Sequence, residues 1–251
     1  KHGRESVALY VSGQLLTEDY YVANKLMKGY IGTANIDTNS RLCMSSAVAG
    51  YKRAFGADTV PASYDDFDHA DLIVLVGSNT AWCHPILFQR IKAAKVQRPH
   101  LKVVVIDPRE TATNEIADLH LPIKAGADVL LFNALLVKLA ENGVLDQHYI
   151  ASYTTNFEAA FAQANKNIGD ITTLAARIGV DETALKTFVD WFCQTPKTMT
   201  CFSMGVNQSS SGTDKVNAII NCHLATGRIG KEGASPFSLT GQPNAMGGRE
   251  V

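Results

Sequence analysis

The sequence contains no Cys-x-x-Cys pair, and its five cysteines (Cys43, Cys83, Cys193, Cys201, Cys222) stand far apart. Structural zinc and iron–sulfur sites draw on closely spaced cysteines, so none is expected from this chain alone. The odd count and wide spacing argue against a disulfide framework, and a reducing compartment is the default. Long apolar runs are missing too. Residues 72–76 and 129–136 fall far short of the roughly 20 that a membrane-spanning helix needs. Neither sign of charge is in excess: 23 Lys and Arg face 24 Asp and Glu, a net charge of -1. That balance gives no electrostatic reason to expect nucleic acid or an anionic membrane as partner. Without a G-x-G-x-x-G run, ordinary NAD binding is not favoured. The seven histidines form no H-E-x-x-H, and no G-x-S-x-G elbow supports a serine nucleophile. There is no internal repeat. An initiator Met is also lacking, and the chain closes on Arg249-Glu250-Val251 just after a Gly-rich turn. Both ends read as cuts, so a missing leader says nothing about export.

What is present suits an ordinary globular protein. With 46% hydrophobic and 19% charged residues, the chain can bury a substantial core in one large domain or two smaller ones. Residues 7–11 predict a buried strand ended by Ser12-Gly13. Thr17 predicts the cap of a helix whose apolar side holds Tyr20, Ala23, Leu26 and Met27. Residues 33–41 predict a polar loop leading to Cys43, and Met44, Ala47, Val48, Tyr51 and Phe55 then follow helical spacing up to Gly56. Next, strands at 72–76, 103–106, 120–122 and 198–204 alternate with helices. Pro85 and Asp128 open two of these helices, residues 159–164 and 182–193 form others, and the last runs to Gly227. The fold class predicted is α/β, with doubly wound, mostly parallel sheet in two lobes.

Ligands of such sheets bind beyond the carboxyl ends of the strands. Four strands here end in suitable loops. Gly77-Ser78-Asn79 lets backbone approach a phosphate, and Asp107 offers a carboxylate to a ribose hydroxyl or a guanine edge. Residues 124–128 combine Gly126 with Asp128, and Met204 leads to Gly205, Asn207 and Gln208. Each alone is commonly a turn. Together they fit a long, nucleotide-like ligand. Cys43 stands where a loop enters a helix, two residues after Arg41, and both features favour a thiolate able to bind a soft metal. The alternative is a small apolar filler in the first turn. Cys193, Cys201 and Cys222 lie in apolar elements and read as structural.

Several runs then carry a resemblance. Ser12-Gly13-Gln14, residues 35–44 (NIDTNSRLCM), Val76-Gly77-Ser78-Asn79, Ile106-Asp107-Pro108-Arg109, residues 204–208 (MGVNQ) and residues 238–245 (SLTGQPNA) resemble the bis-molybdopterin guanine dinucleotide oxidoreductases. Within that superfamily they are most similar to a central fragment of the catalytic subunit of assimilatory nitrate reductases. The resemblance implies that Cys43 is a thiolate ligand of molybdenum. It implies that Gln14 and Asn39 contact the pterin region and that Gly77, Ser78 and Asn79 form a phosphate and pterin loop. Asp107, Thr111, Gly126 and Asp128 would meet a guanosine end, Met204 and Gln208 would lie close to the metal, and Met44 and Arg249 would line the nitrate pocket. It further implies reduction of nitrate to nitrite by oxygen-atom transfer, with electrons from a donor protein or domain. A [4Fe–4S] cluster is expected only in an N-terminal segment outside this chain, and the fragment by itself is expected to be inactive. The location expected is cytoplasmic, with periplasmic export left open by the N-terminal cut. The family's organisation divides the chain into 1–42 with 196–251, and an inserted dinucleotide-binding-like lobe at 43–195. Two other outcomes stay open: a formate dehydrogenase-like enzyme, in which His commonly follows the metal ligand where Met44 stands here, and a non-catalytic structural relative.

Overall fold

The structure, a computed structural model, describes residues 2–38, 43–166 and 168–242. It divides into two compact units, Lys1–Ser45 with Thr240–Val251, and Ser46–Leu239.

In the smaller unit, strands β1 (Leu9–Val11) and β2 (Ile36–Thr38) pair in parallel, Leu9 opposite Ile36 and Val11 opposite Thr38. Parallel pairing demands a crossover, and α1 (Thr17–Asn24) with the π-helical Lys25–Ile31 supplies it. Gly32, at φ 80°, stops the run. Two expectations are corrected here. Thr17 is the first residue of the helix and not its cap; the N–H of Leu16 is held instead by Asp19 Oδ2 at 3.3 Å. The polar loop expected at 33–41 contains β2, which is too short for alternation to reveal it.

The larger unit takes in α2 (Ser45–Phe55) from Ser46 onward, and the helix stops at Gly56 (φ 75°). Its sheet is five-stranded and wholly parallel: β3 (Leu72–Val76), β4 (Lys102–Ile106), β5 (Leu119–Leu121), β6 (Thr198–Phe202) and β7 (Ser235–Ser238). The spatial order is β5-β4-β3-β6-β7. Every residue of β3 is buried, as are those of β6 and Val103–Ile106 of β4, because helices cover both faces of a parallel sheet. Each such aliphatic side chain contributes about 1.5–3 kcal/mol on burial. The crossovers are α3 (Thr80–Cys83) and α4 (Pro85–Gln97) between β3 and β4, and α5 (Asp128–Glu141), α6 (Gln147–Tyr153), α7 (Phe157–Asn165), α8 (Ile171–Ile178) and α9 (Glu182–Gln194) between β5 and β6. After β6 come the short α10 (Met204–Asn207) and α11 (Gly212–Ala225).

The expected parallel neighbourhood of 72–76, 103–106 and 120–122 is present, in register from Leu72↔Lys102 through Ile106↔Leu121. The second domain boundary is not. Residues 198–202 were expected to go with 1–42, yet β6 bonds along its whole length to β3, and β7 to β6. The hydrogen-bond ladder therefore keeps residues 196–239 with the central segment. β7 itself was not expected, because Pro236 cannot donate to a ladder; it is tolerated because β7 is an edge strand.

Cys201 and Cys222 are fully buried, and desolvation pushes both thiols up, so they stay protonated and inert. Arg228 is buried as well. Its Nη2 donates to the carbonyls of Phe192 (2.6 Å) and Thr195 (3.0 Å), and its guanidinium lies 4.2 Å from the Phe192 ring centroid. A cation at the carbonyl end of α9 meets the negative end of the helix dipole, which offsets part of its desolvation.

Candidate functional site

The chain builds β3, β4 and β5 outward in one direction and then returns to place β6 on the other side of β3. The β3–β6 boundary is thus the topological switch point, where open parallel sheets have their ligand crevice. The backbone there is unusually close. Gly205 N donates to Gly77 O at 3.0 Å, and Ser203 N to Val76 O at 3.2 Å. A Cβ on Gly77 would lie 2.7 Å from Gly205 Cα, and one on Gly205 would lie 2.6 Å from Gly77 Cα. Gly77 also sits at φ +53°, which L side chains rarely adopt. Both glycines are therefore required by this approach of the two loops. Gly77→Ala should lose about 2–5 kcal/mol in denaturant unfolding, combining left-handed strain and overpacking. Gly126→Ala makes the control: at φ +88°, with nothing within 4 Å of its Cβ, it carries only the strain of about 1–2 kcal/mol. Equal losses in the two variants would show that the close approach carries no cost.

The loops after β3 and β4 are cross-linked. Ser78 Oγ and Thr80 Oγ1 share a hydrogen bond of 2.8 Å, and Thr113 Oγ1 donates to Asn79 Oδ1 at 3.2 Å while accepting from Ala81 N at 3.1 Å. Asp107, 8% exposed, accepts from Arg109 N at 2.9 Å through Oδ1. Thr111 caps the 3-10 turn Ala112–Ile116 by accepting from Thr113 N at 3.3 Å. Beyond β5, Gly126 is exposed, and Asp128, the first residue of α5, is buried against Lys215 with 2.7 Å between Oδ2 and Nζ. The same ammonium lies 3.5 Å from Gly205 O. Lys215 was not anticipated, although its place beside Val216 and four residues before Ile219, on the buried stripe of α11, was a signal that it needs an acidic partner. After β6, Met204 is half-buried and Gln208 exposed.

Helix α2 is fastened to this edge. Ser46 Oγ donates to Asn207 O (2.7 Å), Asn217 Nδ2 donates to Gly50 O (2.9 Å), and a Cβ on Gly50 would come within 2.4 Å of Val216. Ser238 N donates to Tyr51 Oη at 3.0 Å; burial raises the pKa of this phenol well above its ordinary value and keeps it neutral. These bonds hold the helix that follows Cys43.

Within the smaller unit, Cys43 Sγ donates to Gln242 Oε1 at 3.7 Å, joining two runs 199 positions apart. Thr240 Oγ1 also donates to Gln242 O. Met44 is half-buried. Gln14 is exposed in the turn after β1, where Tyr20 Oη donates to Ser12 O (2.7 Å) and Gln14 N to Ser12 Oγ (3.3 Å). Asn39, Arg41 and Arg249 lie outside the described residues.

Similarity to known proteins agrees with this arrangement. The sequence model of the family Molybdopterin oxidoreductase matches residues 1–251. A nitrate reductase of Shewanella frigidimarina is 57% identical over the whole chain, and one of Klebsiella oxytoca 55%. The chain spans only 27% and 28% of those two relatives. Among solved structures, acetylene hydratase from Pelobacter acetylenicus superposes with a TM-score of 0.70 over 92% of this chain and 30% of its own, at 20% identity, a likeness of fold alone. With the family model matched from end to end, a parallel sheet of the same fold and the strand-end loops in place, the chain belongs to the molybdopterin oxidoreductase family.

Proposed function

We propose that this chain is the central cofactor-binding part of a nitrate reductase that holds molybdenum in two molybdopterin guanine dinucleotides. The observation that carries the proposal is the Cys43–Gln242 hydrogen bond, because it unites the two runs most specific to the resemblance. The chemistry of the remaining residues fits such a group. The Gly77–Gly205 approach draws the loops after β3 and β6 together at the switch point, where open parallel sheets take their ligands, since a Cβ on either glycine would strike the other's backbone. Four consecutive strand ends offer hydroxyl, amide and carboxylate groups along one sheet edge. Relatives bearing the name nitrate reductase match the whole chain.

In this assignment Cys43 is the thiolate on the metal, and α2, fastened through Ser46, Gly50 and Tyr51, holds the segment behind it. Gln14 and Asn39 contact pterin; Gly77, Ser78 and Asn79 take phosphate and pterin; Asp107, Thr111, Gly126 and Asp128 take guanosine; Met204 and Gln208 stand near the metal. When bound, the molybdenum centre supplies the two electrons that nitrate consumes and accepts its oxygen. Arg249 orients the substrate, because a planar guanidinium matches a planar oxyanion with paired hydrogen bonds, and Met44 lines the same pocket. Electrons arrive from a donor protein through a [4Fe–4S] cluster in a segment outside this chain, and the enzyme is placed in the cytoplasm as an assimilatory form. No helix among the described residues is long and apolar enough to cross a membrane.

The test uses the complete polypeptide. Purified protein should contain molybdenum and release guanosine monophosphate on acid treatment, and it should form nitrite from nitrate with reduced viologen as donor. Turnover of formate in place of nitrate, or protein free of both molybdenum and guanosine monophosphate, would overturn the assignment.

A further inference from the structure

Asn207 is 4% exposed, and neither Nδ2 nor Oδ1 of its side chain has a hydrogen-bond partner among the described residues. Its backbone is fully employed, with N donating to Ser203 O at 3.0 Å and O accepting from Ser46 Oγ at 2.7 Å, so the residue is firmly placed. It ends α10, two residues after Gly205, at the switch point of the sheet. Two buried polar atoms left unpaired each cost about 1–3 kcal/mol, and a leucine, with the same branched skeleton, would avoid that penalty. A carboxamide pairs a donor with an acceptor at fixed spacing, which is why asparagine reads heterocycle edges bidentately. The ring that complements it presents an acceptor beside an N–H. Pterin and guanine share one such ring, the 2-amino-4-oxopyrimidine.

Resting on the function proposed above, we infer that Asn207 is a further binding residue, whose carboxamide pairs with the 2-amino-4-oxopyrimidine edge of the bound cofactor. The prediction has a sign that a structural role cannot imitate. In the cofactor-free complete protein, Asn207→Leu should melt at or above wild type, because the orphaned amide is gone. After expression with cofactor, the same variant should retain at least tenfold less molybdenum and guanosine monophosphate per folded chain. Titrating cofactor-free wild type with guanosine diphosphate and with 6-hydroxymethylpterin, followed by melting temperature, should show stabilisation by one of them. That ligand should bind at least tenfold more weakly to Asn207→Leu, and its identity names the end of the cofactor involved. If Asn207→Leu does not fold, Asn207→Asp takes its place in the titration, since it keeps the volume and loses the donor. Equal loading and equal titrations in variant and wild type would overturn the inference, with Asn207→Asp read in place of a leucine variant that does not fold. Wild type that loads normally beside an equally loaded variant removes this inference alone; wild type that never loads removes the proposed function.

Discussion

Lys215→Met is expected to destabilise the larger unit by about 3–5 kcal/mol, the usual cost of leaving one member of a buried ion pair without its partner. The side chains of Lys215 and Asp128 are 4% and 8% exposed, and their charges are 2.7 Å apart. Water cannot compensate either one. Removing the ammonium strands the Asp128 carboxylate at the start of α5, where the helix dipole recovers only a fraction of the loss, about 0.3–1 kcal/mol. It also releases Gly205 O, which the ammonium approaches at 3.5 Å beside the close contact with Gly77. The double variant Lys215→Met with Asp128→Leu should recover most of the stability, because an apolar pair needs no counter-charge. Urea unfolding of the two single variants and the double variant yields the coupling directly. A single-variant loss below about 1 kcal/mol would mean that solvent reaches the carboxylate, and the buried pair would then be no constraint on the edge. Arg90 sets the contrast. It bonds Asp65 and Asp68, whose side chains are 84% and 46% exposed, and Arg90→Ala should therefore cost no more than about 1 kcal/mol.

If the proposed function holds, Cys43→Ala in the complete polypeptide should bring nitrate reduction down to background while the protein remains folded. Cys43 is half-buried at the entrance to α2, so removing its sulfur deletes little packing. The bonds that hold α2 come from Ser46, Gly50 and Tyr51 and survive the change. Under the proposed assignment, what disappears is a soft sulfur ligand, and with it an influence of the protein on the metal's potential. Cys43→Ser should keep a residual rate, since an oxygen ligand is possible but harder. Nitrite formation, molybdenum content and the Mo(V) paramagnetic signal should be followed together. A normal signal and a substantial fraction of wild-type turnover in Cys43→Ala would take Cys43 out of the metal shell.

Much of this molecule could be read along the chain, because the features concerned are local. The apolar run Leu72–Val76 is buried at every position and keeps the bounds its composition suggests. Pro85 at the first helical turn, Asp128 at the head of α5 and the stops at Gly56 and Gly227 depend on backbone chemistry that each residue carries wherever it stands. The loops after β3, β4, β5 and β6 follow directly from strand ends, and the runs around Cys43 and after Ser238 carry the family.

Other features are products of long-range pairing, which no window of sequence contains. Strand β7 forms only because β6 offers it an edge that tolerates Pro236, and β2 only because β1 lies beside it. Whether residues 196–239 belong with the first segment or the central one was decided by the ladder between β6 and β3. The approach of Gly77 to Gly205 follows from the reversal of strand order at the switch point, and the partner of Lys215 from the packing of α11 on α5. The sequence by itself therefore determined the central strands β3 to β6 and the helix ends marked by Pro85, Asp128, Gly56 and Gly227, which rest on short-range sterics and hydrogen bonding. Only the tertiary structure decided which loops meet and which charges are buried together, because those choices are set by the closure of the sheet and the exclusion of water between distant segments.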